Sequence, residues 1–213
     1  MNSGWYMAST ANIHSKYNGT MGVILSAGRY PATSGIYRRR LGEGVPWCLD
    51  NGVFSERFDK DYWIGKMNAL LEYSRTCAFI VAPDVIGNCK ATIDQFKYYR
   101  DFIINYPAAF VSQDGIINHA ELIPWDSFDV LFVGGSDGHK LGTEGAWIIA
   151  EAKTRKKWVH VGRVNSVSRI IKFHRADSWD GTHLGFFPSD VKKFHAAVSY
   201  VRLLKKSNML IGD

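Results

Sequence analysis

The chain has 213 residues, a net charge of +6, 46% hydrophobic and 22% charged residues. That balance excludes a disordered or low-complexity protein and predicts one globular domain spanning 1–213, with 1–18 as a loose N-terminal segment. No apolar run is long enough for a transmembrane helix. Cys48, Cys77 and Cys89 are scattered and odd in number, which argues against a disulfide framework and suits a reducing compartment. The N-terminal stretch lacks the basic start and apolar middle of a signal peptide, so a cytoplasmic location is expected. The excess of basic charge favours a polyanionic partner, nucleic acid above all, although a generally basic protein would read the same way.

In chain order, residues before Gly19 are polar and unpatterned and predict a loop. Met21 to Ser26 (MGVILS) is a first strand ending in a turn. Arg38, Arg39 and Arg40 follow as a triplet able to grip phosphates, or else as a solvated charge run. Trp47 to Phe54 (WCLDNGVF) predicts a buried strand that stops on Asp50 and turns at Asn51-Gly52. Residues 59–76 carry Trp63, Met67, Leu70 and Leu71 at helical spacing. Cys77 to Ala82 is a strand, 90–106 a helix closed by Pro107, 108–112 a strand, and 116–122 a short helix. Strands at 129–133, 158–161 and 176–182 then alternate with helices at 145–153, 166–174 and 190–204. Strand–helix alternation predicts a parallel sheet with right-handed crossovers. Seven or eight strands favour a compact (β/α)8 barrel, a TIM-barrel-like α/β fold.

The chemistry is concentrated where strands end. Asp50, Asp84, Gln113 and Asp180 each close a strand-like run, and in a barrel all such ends face one rim, where the active site sits. Paired carboxylates perform glycosyl chemistry, one as nucleophile and the other moving a proton. Each aspartate taken alone could instead cap the helix after its strand. Asp177 and Asp180 both compete for the nucleophile's place. Asp180, beside the Gly181 turn, is the choice, because Asp177 lies near the strand's start, where a carboxylate more often pairs with a lysine or arginine or caps a turn. His160 and His183 read as hydrogen-bonding residues, since no partners at metal-site spacing accompany them. Gly134 and Gly135 lie in a glycine-rich turn that matches neither nucleotide-loop spacing.

The set of segments resembles the tRNA-guanine transglycosylases. WCLDNGVFS resembles their TDSGGFQ segment, VAPDVIG the segment whose aspartate reads guanine's exocyclic groups, AFVSQDG their VQGG segment, FVGGS their glycine-rich turn, and ADSWDGT the VDMFDC segment with the nucleophile. The five occur in the family's order. With YRRRL shortly before WCLDNGVFS, the layout is most similar to the phage and bacterial branch that exchanges guanine in DNA for a 7-deazaguanine. The resemblance implies Asp180 as nucleophile and Asp50 as general acid/base. It implies Asp84 and Gln113, with Asn51 beside them, on the base edge, Gly134 and Gly135 donating N–H groups, and Phe54 and Val161 sandwiching the base. Arg38, Arg39, Arg40 and Arg163 would contact the nucleic acid. The co-substrate would be a 7-deazaguanine such as preQ0, with no metal or redox cofactor, because the three-Cys, one-His zinc site of the tRNA enzymes has no counterpart. The arginines that follow their nucleophile are replaced here by THLGFF, which favours DNA over RNA. A retaining nucleoside or glycoside hydrolase and a non-catalytic nucleic-acid-binding module remain as alternatives.

Overall fold

The computed structural model describes residues 4–13, 15–27, 35–53 and 58–211, with side chains as far as 207. Eight strands run parallel and close a barrel in chain order. They are β1 (Trp5–Ala8), β2 (Met21–Ser26), β3 (Trp47–Asp50), β4 (Cys77–Val81), β5 (Ala108–Ser112), β6 (Val130–Val133), β7 (Trp158–Val161) and β8 (Ser178–Gly181). Around them lie α1 (Gly35–Gly42), α2 (Lys60–Ala69), α3 (Cys89–Tyr99), α4 (Asp137–Leu141), α5 (Thr143–Thr154), α6 (Val167–Lys172), α7 (His183–Phe186) and α8 (Val191–Ile211), with short 3-10 turns between. No helix among the described residues is long and apolar enough to cross a membrane.

The barrel closes through a strand that the sequence reading assigned to a loop. Trp5–Ala8 pairs with β2 on one side and with β8 on the other, Met7 lying opposite Asp180. Four residues flanked by polar ones carry too little periodicity to be seen locally. The strand exists because two neighbouring edges need the same partner. Two helices are also shorter than their apolar spacing suggests: the segment 59–76 changes to a 3-10 turn at Leu71, and 90–106 does so at Arg100.

Strands of such a barrel are covered on both faces, by the barrel interior and by the helix layer, so they read as continuous apolar runs. All five residues of β4 and of β5 are buried. Side chains still alternate between the two cores. Met7, Cys48, Phe79, Val81, Ala109, Val111 and Val130 fill the interior, with Phe132 and Trp158 packed against them. Tyr6, Trp47, Leu131, Val159, Val161 and Trp179 face the helices. Trp47, Trp63 and Trp179 are fully buried, and each such burial contributes about 2–3 kcal/mol, so these aromatics serve the core rather than base stacking.

Side-chain caps fix where helices start after the strands. Asp59 accepts from the Tyr62 N–H at 3.0 Å, Asn88 from Ala91 at 3.0 Å and Ser136 from His139 at 3.1 Å. The result is one rim that collects the C-terminal end of every strand.

Candidate active site at the strand-end rim

A cavity of about 1230 Å³ opens at that rim, large enough for a small-molecule ligand. Its polar lining comes from successive strand ends: Asp50 and Asn51 after β3, Asp84 after β4, Gln113 after β5, Gly134 and Gly135 after β6, Arg163 after β7 and Asp180 on β8. The structure therefore brings together the carboxylates, the amide and the glycines that the sequence singled out. Ile24, Val81, Val111 and Phe132 provide apolar wall, and Ile86 stands at the mouth half exposed.

Asp50 ends β3, and the chain turns away through Gly52, which sits at φ 77° in the left-handed region that glycine enters without strain. Burial pushes the Asp50 carboxyl up to about 7, helped by the negative charges of Asp180 and Asp84. The N–H groups of Gly52 and Asn51 oppose the rise without cancelling it. A carboxylic acid poised near neutrality is suited to proton transfer in either direction.

Asp180 is held differently. Its Oδ1 accepts the Arg163 backbone N–H at 2.9 Å, and its Oδ2 lies 2.9 Å from His160 Nε2. Arg163 adopts φ 57°, an uncommon conformation for a residue with a Cβ, and this turn aims its N–H at the carboxylate. The loop is pinned from three sides. Tyr6 donates its hydroxyl to the Val164 carbonyl at 3.0 Å, Val164 donates its N–H to the Asp180 carbonyl at 2.6 Å, and buried Lys140 donates to the Gly162 carbonyl at 2.9 Å. A Cβ on Gly162 would meet the Phe132 ring at 2.7 Å, so only glycine lets that ring lie against β7.

Asp84 and Gln113 form a single unit. Gln113 Nε2 donates to Asp84 Oδ2 at 2.5 Å, Asn51 Nδ2 donates to Asp84 Oδ1 at 2.7 Å, and Gly87 donates its N–H to Gln113 Oε1 at 3.1 Å. Burial raises the Asp84 carboxyl, while its bonds from Asn51 and Gln113 act the other way. The three side chains are locked to one another where they line the cavity, with Asn51 also donating to the Ala82 carbonyl at 2.8 Å and accepting the Val53 N–H at 3.0 Å.

Three expected residues fall elsewhere or change role. Val161 does not reach the cavity: it is fully buried in the helix-facing core, because strand parity turns His160 and Gly162 inward and Val161 outward. Arg40 is no nucleic-acid contact. It is 2% exposed and its Nη1 bonds Asn18 Oδ1 at 2.7 Å and Glu43 Oε2 at 2.8 Å, since Arg40 and Leu41 form the buried end of α1. Gly134 lines the cavity, but its N–H is taken by the Ser112 carbonyl at 3.1 Å, which leaves Gly135 as the candidate donor of the pair. Phe54 lies outside the described residues. Arg38 and Arg39 are exposed on α1, and Arg163 lines the rim with its guanidinium bonded to the Gly135 carbonyl. Asp177 lies at the opposite end of β8, paired with Lys153 at 2.5 Å and Lys205 at 3.1 Å. His160, Ser178 and Lys140 contribute to the site without having been assigned to it from the sequence. The signal available for the first two was their alternation with outward residues in WVHV and SWDG.

No family model matches the chain, and no curated protein matches it. Solved structures do. The L-talarate dehydratase of Polaromonas sp. JS666, complexed with Mg and L-glucarate, superposes with a TM-score of 0.53 at 14% identity, over 86% of this chain. This chain spans about half (54%) of that one. The tryptophan synthase α2β2 complex of Pyrococcus furiosus matches with a TM-score of 0.50 at 10% identity, over 94% of this chain and 95% of that chain. At these identities the likeness is one of fold, the closed parallel barrel that β1–β8 form.

Proposed function

We propose that the chain is an enzyme, a base-exchange transglycosylase that replaces guanine in DNA with a 7-deazaguanine through a covalent Asp180–glycosyl intermediate. The observation that carries this reading is the pairing of two unlike carboxylates in one cavity. Asp50 is shifted to about 7 by burial and by its acidic neighbours, whereas Asp180 accepts the Arg163 N–H at Oδ1 and has His160 Nε2 within 2.9 Å of Oδ2. Environments that differ in this way separate an acid from a nucleophile. The Asp84–Gln113–Asn51 unit beside them supports a planar, multiply hydrogen-bonding leaving group rather than a plain sugar.

In the proposed mechanism the target nucleotide leaves the duplex and enters the rim cavity. An oxygen of Asp180 attacks C1′, the bond to guanine breaks, and the departing nitrogen takes the proton of the Asp50 carboxylic acid. The incoming 7-deazaguanine then attacks C1′ from the vacated side. The ester bond breaks, its electron pair returns to Asp180, and the attacking nitrogen's proton passes to Asp50. Two inversions give net retention. Arg38, Arg39 and Arg163 supply cations for backbone phosphates.

Incubation with duplex DNA and a labelled 7-deazaguanine such as preQ0 tests the reading. Label in the DNA together with released guanine supports it. Release of base without incorporation identifies a retaining hydrolase on the same residues, and binding alone identifies a nucleic-acid-binding module. Either of these outcomes overturns the proposal.

A further inference from the structure

The polar chain behind Asp180 lies deep in the barrel interior. His160 is fully buried, its ring clamped between Phe79 and Phe132 with centroids 4.9 and 4.7 Å away. His160 Nδ1 lies 2.8 Å from Ser178 Oγ, and that hydroxyl already accepts the Trp158 indole N–H at 3.1 Å. Indole nitrogen only donates, so Ser178 keeps its own hydrogen for another acceptor. Directed at Nδ1, that hydrogen leaves the ring proton on Nε2, which faces Asp180 Oδ2 at 2.9 Å. The opposite tautomer would set a nitrogen lone pair against a carboxylate lone pair on a fully buried ring, an arrangement that burial penalises.

We propose that His160 is a positioning residue that donates from Nε2 to Asp180 and stabilises that carboxylate whenever its glycosyl ester breaks. The kinetic half of this proposal rests on the transglycosylase reading, whereas the hydrogen-bond half does not. With Arg163 N–H on Oδ1 and His160 on Oδ2, the plane of the carboxylate is fixed before substrate arrives. An ester oxygen is a weaker acceptor than a carboxylate oxygen. When the incoming base attacks C1′ and the C1′–O bond breaks, negative charge returns to Asp180 and both donors meet it. Donors aimed at developing charge favour the step that develops it. Removing His160's donor therefore slows breakdown of the intermediate more than its formation, and the covalent species accumulates.

Three variants and three readouts test this. His160→Gln retains an N–H near the Nε2 position, His160→Leu retains the volume without a donor, and Ser178→Ala leaves the ring but frees Nδ1. Nitrogen-15 spectra of labelled histidine should show His160 protonated at Nε2 and bare at Nδ1 in the wild type. Ser178→Ala should keep the proton on Nε2, held there by the Asp180 carboxylate alone. In steady-state exchange, His160→Leu should lose about 10- to 100-fold in kcat, as expected for a misplaced reacting group. Its KM for the incoming base should stay within about twofold, with His160→Gln recovering to within about fivefold of wild type. The adduct trapped on denaturing gels should rise as a fraction of enzyme in His160→Leu. A purely structural role would lower adduct and turnover together. A proton on Nδ1 in the wild type overturns the hydrogen-bond assignment. Loss of turnover without gain of adduct, or a glutamine variant no better than leucine, overturns the kinetic role. A wild-type protein that incorporates no base fails the functional reading instead, and the histidine spectrum still decides the donor.

Discussion

Asp50→Asn should stabilise the fold at neutral pH while destroying exchange, and the size of the effect follows from the carboxyl's surroundings. Burial and the charges of Asp180 and Asp84 raise Asp50 from 3.8 to about 7. Between these values the folded protein holds a proton that the unfolded chain has released. Stability therefore falls as pH rises through that window. Below about pH 4 both states are protonated and the cost is absent; above about 7 both are ionised and it is complete. Each tenfold in proton affinity is about 1.4 kcal/mol, so the full cost is about 4 kcal/mol. An amide at position 50 carries no charge to desolvate. The variant's advantage over wild type should be close to zero at pH 4 and approach about 4 kcal/mol by pH 8. Urea denaturation of both proteins at pH 4, 5.5, 7 and 8 measures this directly. An advantage that does not vary with pH, or one that shrinks from pH 4 to 8, would refute the raised carboxyl and with it the role of Asp50 as proton donor.

Asp180→Asn should keep the fold and base binding but abolish exchange and the trapped adduct, because an amide cannot form the ester; a surviving adduct on denaturing gels would move the nucleophile elsewhere. Asp177→Asn should keep turnover within about tenfold of wild type, the equivalent of roughly 1.4 kcal/mol of barrier. It should nevertheless unfold more readily by about 1–3 kcal/mol in urea, since Lys153 and Lys205 lose their charged partner. Replacing Arg38 and Arg39 by Ala should weaken DNA binding and flatten its dependence on salt, measured by titration across salt concentrations. Arg40→Ala should leave that salt slope unchanged and lower stability by about 1–3 kcal/mol, because Asn18 and Glu43 lose their shared donor; an altered slope would put Arg40 back among the phosphate contacts.

The sequence by itself determined the features that depend on neighbours along the chain. Continuous apolar runs of strand length such as CAFIV read as strands covered on both faces, and their alternation with helices favours a parallel sheet. A run that ends on a carboxylate and a turn, as WCLD does before Asn51-Gly52, delivers that carboxylate to the strand-end rim wherever the strand lies. Asp50, Asp84, Gln113 and Asp180 were legible for this reason. Asp177 was legible as the wrong end of the same strand. The tertiary structure alone decided whatever depends on parity, closure or distant partners. Val161 and His160 are adjacent, and which of them faces the cavity is set by the register of β7 between β6 and β8, not by the composition of WVHV. Arg40 reads like Arg38 and Arg39 until α1 is docked and turns it toward Asn18. Trp5–Ala8 becomes a strand because β2 and β8 both need an edge filled, a demand arising 13 residues away on one side and about 170 on the other. The contact of His160 with Asp180 joins residues 20 apart in the sequence, which meet only because β7 and β8 are neighbours and turn both side chains into the barrel.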